Sequence, residues 1–218
     1  MNRSILIILI IIIILVGGGL LLIKLNKSSN NVEQLMQINT TLEWEQGHHE
    51  LYDELKRELD ENPEDYSALF KLGRLKQDLL DYDGAIELYQ RLSQEKQEDI
   101  MPLINMASIY YDTKQYEKAE ETHYEILQRN LKWLNSYREL LSIYRWHLKD
   151  KKAVLEPILL DAYEKIPEFR QDLTSLLAVY YDELIGDKAK AIEWYEKQMQ
   201  FNSDPNIEVR INELQMKE

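Results

Sequence analysis

The 218-residue chain contains no cysteine. That removes disulfides, thiolate metal sites, thiol nucleophiles and lipid attachment through sulfur in one step. Histidine is scarce, with His48, His49, His123 and His147 as the whole supply. Adjacent His48 and His49 would point about 100° apart on a helix, unlike a metal-binding pair spaced by three or four. Glycine and proline are few, at 7 and 5 residues, and there is no glycine-rich phosphate loop. Gly17, Gly18 and Gly19 lie instead inside an apolar run. Neighbouring carboxylates such as Glu120 and Glu121 are what a solvated helix face of acidic composition carries. No convergent catalytic set emerges, so neither enzyme activity, nor a metal, nor a cofactor is expected.

Positive charge is also short: 26 lysines and arginines face 39 acids, for a formal net charge of −13. Arg3 is the only charged side chain before Lys24, so the remainder carries −13 − 1 = −14. Such a field repels phosphate backbones and anionic head groups, which excludes nucleic acid as a partner.

What the chain does have begins with "ILIILIIIIILVGGGLLLI", residues 5–23, uncharged and apolar throughout. At about 1.5 Å per residue a helix of this length nearly matches a hydrocarbon core of roughly 30 Å, so a transmembrane helix is expected. Arg3 and the glycines would also suit a cleaved signal peptide. Four apolar residues follow the glycines, however, whereas a cleavable signal ends its apolar part of about 7 to 15 residues before the cut. The expectation is a single-pass anchor with a short tail, 1–4, and a polar linker, 24–31, "KLNKSSNN". Flanking positive charge is nearly level, Arg3 and the terminal amine against Lys24 and Lys27. The short basic tail tips the expectation toward a cytoplasmic N-terminus and an extracytoplasmic remainder.

Beyond the linker no strand alternation is found. Apolar residues recur at three and four, as in Leu69, Leu72, Leu75 and Leu79, or Ile104, Ala107, Tyr110 and Tyr111, which is helical spacing. A longer period overlies it. Tyr82 and Tyr116 stand 116 − 82 = 34 residues apart, and Ala85 and Ala119, Gly73 and Ala107, and Tyr110 and Tyr144 share that interval. The order Leu-Gly-x-x-aromatic, then Tyr-x-x-Ala-x-x-x-aromatic, at a period of 34 resembles the tetratricopeptide repeat (TPR) family.

That resemblance implies an all-α chain: a single transmembrane helix, then an α-solenoid of about five TPR-like helix pairs over 32–202, then a capping helix, 203–218. The units fall at approximately 32–65, 66–99, 100–133, 134–170 and 171–202. Leu72, Gly73, Tyr82, Ala85 and Tyr89 carry the pattern in the second unit, and Met106, Ala107, Tyr116, Ala119 and Ile126 in the third. Tyr137, Leu140, Tyr144 and Ala153 carry it in the fourth, and Leu177, Ala178, Tyr181, Ala191 and Tyr195 in the fifth. Two helices approach closely only where a Gly or Ala faces a bulky ring, and repeating that contact stacks the pairs. His123 takes a slot usually held by an aromatic and reads as a packed imidazole. Ala153 and Ala191 are 191 − 153 = 38 apart, so a longer connection near Pro167 and a longer turn around 185–190 are expected. Pro157 should kink or restart the second helix of the fourth unit. Asp204 and Pro205 read as the cap and first turn of the last helix.

In the family, the first helix of each pair lines a concave groove. Matched by position, that face comprises Phe70, Arg74 and Gln77, then Ile104, Ser108 and Tyr111, then Arg138, Ser142, Arg145 and Trp146. Phe70 and Arg74 stand where receptors for chaperone tails carry their first carboxylate-holding pair, so that role is not implied. Arginine forks engage carboxylates and stiff aromatics supply contact area, so the implied ligand is a protein or peptide with acidic and apolar residues. The function implied is a membrane-anchored scaffold for protein–protein interaction, in assembly or biogenesis of a membrane-associated complex. The alternative is a structural, self-associating spacer without a peptide groove.

Overall fold

In the computed structural model the described residues are 13–16, 19–22 and 47–216. The chain divides into two compact units, Met1–Arg57 and Glu58–Glu218.

In the first unit, Ile13–Val16 (β1) and Gly19–Leu22 (β2) form an antiparallel pair with Ile13 opposite Leu22 and Val16 opposite Gly19. This differs from the single helix expected over 5–23. Branching at Cβ favours extended backbone, and a membrane-span reading weighs hydropathy while ignoring that preference. The rest of the stretch, the linker 24–31 and the part of the first repeat over 32–46 lie outside the described residues. Among the described residues no helix is long and apolar enough to cross a membrane. Residues 47–61 are helical, α1.

The second unit is helical among its described residues. Two regular pairs come first: α2 (Tyr66–Asp78) with α3 (Tyr82–Glu95), and α4 (Met101–Asp112) with α5 (Tyr116–Arg129). Asp65 starts α2 by accepting from the Ala68 amide at 2.8 Å, and Asp81 starts α3 by accepting from Gly84 N at 3.1 Å. Each satisfies an amide that the first helical turn leaves without a partner. The turn inside each pair closes on one left-handed residue, Leu80 (φ 63°) and Lys114 (φ 61°). That conformation reverses the chain within three residues and is uncommon outside glycine.

The next two pairs are irregular. After α6 (Leu134–Trp146) the chain makes a 3-10 stretch, Lys149–Val154, before α7 (Leu155–Lys165). Pro157 sits in the first turn of α7, where its missing amide costs no intrahelical bond, so the helix restarts around the proline. Ala153 is exposed in the 3-10 stretch and is not the contact alanine of this pair; Leu155, Leu159 and Ala162 fill that role, all fully buried. From α5 to α7 the helix starts are 155 − 116 = 39 residues apart, against 116 − 82 = 34 for α3 to α5. The extra residues therefore lie in the α6–α7 turn. The connection at Pro167 spans only residues 166–169 and is not the longer one expected. After α8 (Arg170–Val179) a π-helical turn, Tyr180–Ile185, ends at Gly186 (φ 79°) and leads into α9 (Lys188–Met199), capped by Asp187. The last helix, α10 (Pro205–Met216), lays Ile207 and Leu214 on the preceding pair.

Two apolar clusters hold the unit. One joins α2 to α5 through Leu69, Tyr89, Leu92, Leu103, Ile109 and Ile126; the other joins α6 to α10 through Tyr137, Leu140, Leu159, Leu177 and Trp194. They interlock, because Ile143 of α6 belongs to the first and Leu127 of α5 to the second. Each such side chain contributes roughly 1.5–3 kcal/mol on burial. Among the described residues the buried Asn105 Nδ2 and Tyr180 hydroxyl lack a hydrogen-bond partner, whereas the buried carboxylates are satisfied. Buried Glu120 accepts from the Tyr144 hydroxyl at 2.5 Å and from Lys151 Nζ at 2.7 Å. Asp182, on the π-helical turn, accepts from both Arg210 Nε (2.8 Å) and Nη2 (2.7 Å), tying α10 to the stack.

Candidate protein-interaction face

The ten residues singled out in the sequence lie on the first helices of three pairs, α2, α4 and α6. The structure separates them into three groups. Phe70 is half-buried with its ring 5.8 Å from that of Tyr89, and Gln77 accepts from the Tyr89 hydroxyl at 3.3 Å, so both serve the α2–α3 contact. Arg74 is exposed and makes no ion pair among the described residues.

The α6 residues are largely committed to the next repeat. Arg138 Nη2 donates to Asp172 of α8 at 2.8 Å, with a second bond to Asn135. Arg145 pairs with Glu183 and lies 4.8 Å over the Trp146 ring. Ser142 is half-buried between them, and Trp146 is 59% exposed. The two guanidinium forks expected to greet an acidic ligand are thus neutralised by the protein's own carboxylates.

The third group forms a cleft. Ile104, Ser108 and Tyr111 of α4 line a cavity of about 220 Å³ together with Ala107 and Asp112; Asn135 and Glu139 of α6 and Trp133 close the other side, and His123 of α5 lies at its floor. Its origin is legible in one substitution within the repeat. In the α2–α3 pair the ring slot is Tyr89, fully buried against Gly73. One period on, the slot holds the smaller imidazole of His123, and the volume is left open. His123 is 8% exposed, its Nδ1 lies 3.1 Å from Ser136 Oγ, and burial pushes its pKa down to about 4, so the ring is neutral at physiological pH. Beside the cleft the Tyr111 hydroxyl lies 3.3 Å from His147 Nε2, while the His147 ring stacks on Tyr116 at 3.6 Å.

Asp112, Glu139, Trp133 and His123 were not expected at a site. Asp112 stands four residues after Ser108 and Glu139 three before Ser142, spacings that put them on the same helical faces and that could have found them. Among the described residues no group of three or more His, Asp or Glu is placed to hold a metal ion.

No family model matches the chain, and no curated protein matches it. Solved structures do. A tetratricopeptide repeat protein from Parabacteroides merdae superposes with a TM-score of 0.55 at 16% identity, covering 84% of this chain and 71% of that one. MamA from Desulfovibrio magneticus superposes with a TM-score of 0.51 at 13% identity, covering 71% and 85%. At these identities the likeness establishes the fold: the helical unit is a TPR-type solenoid.

Proposed function

We propose that this chain is a membrane-anchored scaffold that binds another protein on the face of α2, α4, α6 and α8, in the assembly or biogenesis of a membrane-associated complex. The observation that carries the binding role is the cleft between α4 and α6. A stack of helix pairs has no structural need for a cavity walled by Tyr111 and Trp133 when the preceding pair fills the same slot with Tyr89. Aromatic walls around a small cavity are what anchors of protein recognition use. With Arg138 and Arg145 paired internally, Arg74 is the one of the three arginines on this face without an ion pair among the described residues, which weakens the case for an acidic ligand.

The anchoring role rests on residues 5–23. In hydrocarbon every backbone group must be paired within the segment, so this run would cross as a helix rather than as an open pair of strands. The short tail with Arg3 supports a cytoplasmic N-terminus with the repeats on the far side of the membrane. Protease added to intact cells tests this, and protection of the repeats until the membrane is dissolved would reverse it. For binding, the full chain is retrieved from its own membranes alongside Tyr111→Ala. Loss of specific co-purifying proteins is expected; identical recovery would remove the cleft from the account. Sedimentation separates the spacer alternative, which requires dimers that bury this face.

A further inference from the structure

We propose that the cleft between α4 and α6 receives a cationic side chain, lysine or arginine, projecting from the protein partner. This rests on the preceding reading of the face and adds the chemistry of the group that enters it. Asp112 and Glu139 both line the cavity, and neither has a hydrogen-bond or ion-pair partner among the described residues. On the same face the carboxylates of Asp172 and Glu183 are each matched by an arginine. Asp78, at the end of α2, is also exposed and without an ion pair among the described residues; what sets Asp112 and Glu139 apart is that two such acids line one cavity.

The walls fit the same guest. Tyr111 and Trp133 present ring surface, which attracts ammonium and guanidinium groups most strongly when they are partly desolvated. At the floor, burial holds His123 in its neutral form, so no positive charge competes with the guest. Its Nδ1 is engaged by Ser136, and no second bond to the ring is made among the described residues. Where Nδ1–H donates to Ser136 Oγ, Nε2 is left as an acceptor; where the hydroxyl donates to Nδ1, Nε2 carries the proton. A cavity of about 220 Å³ lies below the roughly 300–1,000 Å³ of small-molecule pockets and suits one long side chain. The net charge of −13 steers basic partners toward the molecule.

The test uses the detergent-solubilised full chain and arrays of short labelled peptides. Their Ala, Leu and Ser flanks are varied, and one central position is Lys, Arg, norleucine or Glu. Lys and Arg peptides are expected to bind at least about tenfold more tightly than their norleucine counterparts, with the gap shrinking in high salt. The gap should close in the Asp112→Asn/Glu139→Gln double variant. Both positions are exposed and the replacements keep their shape, so thermal melts should show no loss of stability. Norleucine or Glu peptides binding as well as Lys peptides, or a gap that survives in the double variant, would overturn the inference. If Tyr111→Ala abolishes binding while the double variant changes nothing, the interaction face stands and the cationic guest falls. If no peptide of any series binds, both fall.

Discussion

The α2–α3 and α4–α5 pairs occupy the same positions one period apart, yet they meet through different chemistry. Gly73 faces Tyr89 in the first, where a methyl group added to the glycine would stand 2.8 Å from the ring. At the corresponding positions the second pair has Ala107 and His123. One small residue gains a methyl and one ring loses volume, so the helices still pack, but a cavity opens beside the imidazole. The acid–base consequences diverge as well. Burial pushes the Tyr89 hydroxyl up to about 12, out of reach, and pushes His123 down to about 4. A repeat constrains the summed size of the contact and leaves its chemistry free to change.

The strongest way to test that contrast is pH. The folded pKa of His123 lies below its ordinary value of 6.5, so in mildly acidic solution the unfolded chain takes up a proton that the folded chain refuses. Its contribution is fully present above about pH 6.5, is lost as pH falls toward 4, and changes no further below that. A shift of this size corresponds to about 3 kcal/mol. Urea midpoints between pH 7 and 4.5 should fall accordingly, and His123→Gln should flatten that part of the curve. Tyr89→Phe should leave it unchanged; if it does not, the slope comes from elsewhere.

Next in size is an exchange of rings. His123→Tyr places the larger ring against Ala107 and should destabilise by about 1–3 kcal/mol through overpacking. Adding Ala107→Gly should recover much of the loss, and the double-mutant cycle measures that coupling. The variant also fills the floor of the cleft, so it should weaken capture of any ligand held there. Additive effects would mean that the two positions do not meet as Gly73 and Tyr89 do.

Exchanging the small residues sharpens the comparison further. Gly73→Ala gains about 1 kcal/mol of helix propensity but drives a methyl into a buried ring, at a cost of about 1–3 kcal/mol. The net expectation is a loss of about 1 kcal/mol. Ala107→Gly should also lose about 1 kcal/mol, for the opposite reason, since it relieves no clash and gives up propensity. The smallest effect concerns the caps. Asp81 caps α3 through its side chain, whereas Gln115 makes no such bond for α5. Gln115→Asp should raise stability by about 0.5–1 kcal/mol, and Asp81→Ala should lower it by about 1 kcal/mol. Thermal melts read both.

The helical repeat was legible because small residues and rings must recur at fixed spacing for helices to approach, as Gly73, Ala107, Tyr82 and Tyr116 do. Ala153 misled because counting onward by 34 assumes a constant turn, and the α6–α7 turn absorbs the insertion. The arginines misled for another reason: composition shows charge, but only the neighbouring helix shows where it is spent. A signal was present, since Arg138 and Asp172 are 172 − 138 = 34 residues apart and so stand at equivalent places on successive helices. The cleft was illegible because it arises from volume missing at His123, and sequence displays residues rather than gaps.

The ion pairs between the third and fourth helix pairs have a mechanical consequence. Three fasteners, Lys132 to Glu168, Arg138 to Asp172 and Arg145 to Glu183, cross from the third pair to the fourth. Each is worth at most about 1 kcal/mol at the surface, yet all resist the same shearing motion. Between α4 and α6 the same face has no ion pair among the described residues, only the hydroxyl of Tyr111 resting against His147. Away from this face the same joint is held by buried Glu120, which takes Tyr144 and Lys151, so its compliance is confined to the side that contains the cleft. Bending that pulls α4 and α6 apart would gape at the cleft and hinge on those bonds. A ligand bridging α4 and α6 would act as a splint, so the mechanical stiffness of this scaffold should report whether it is loaded.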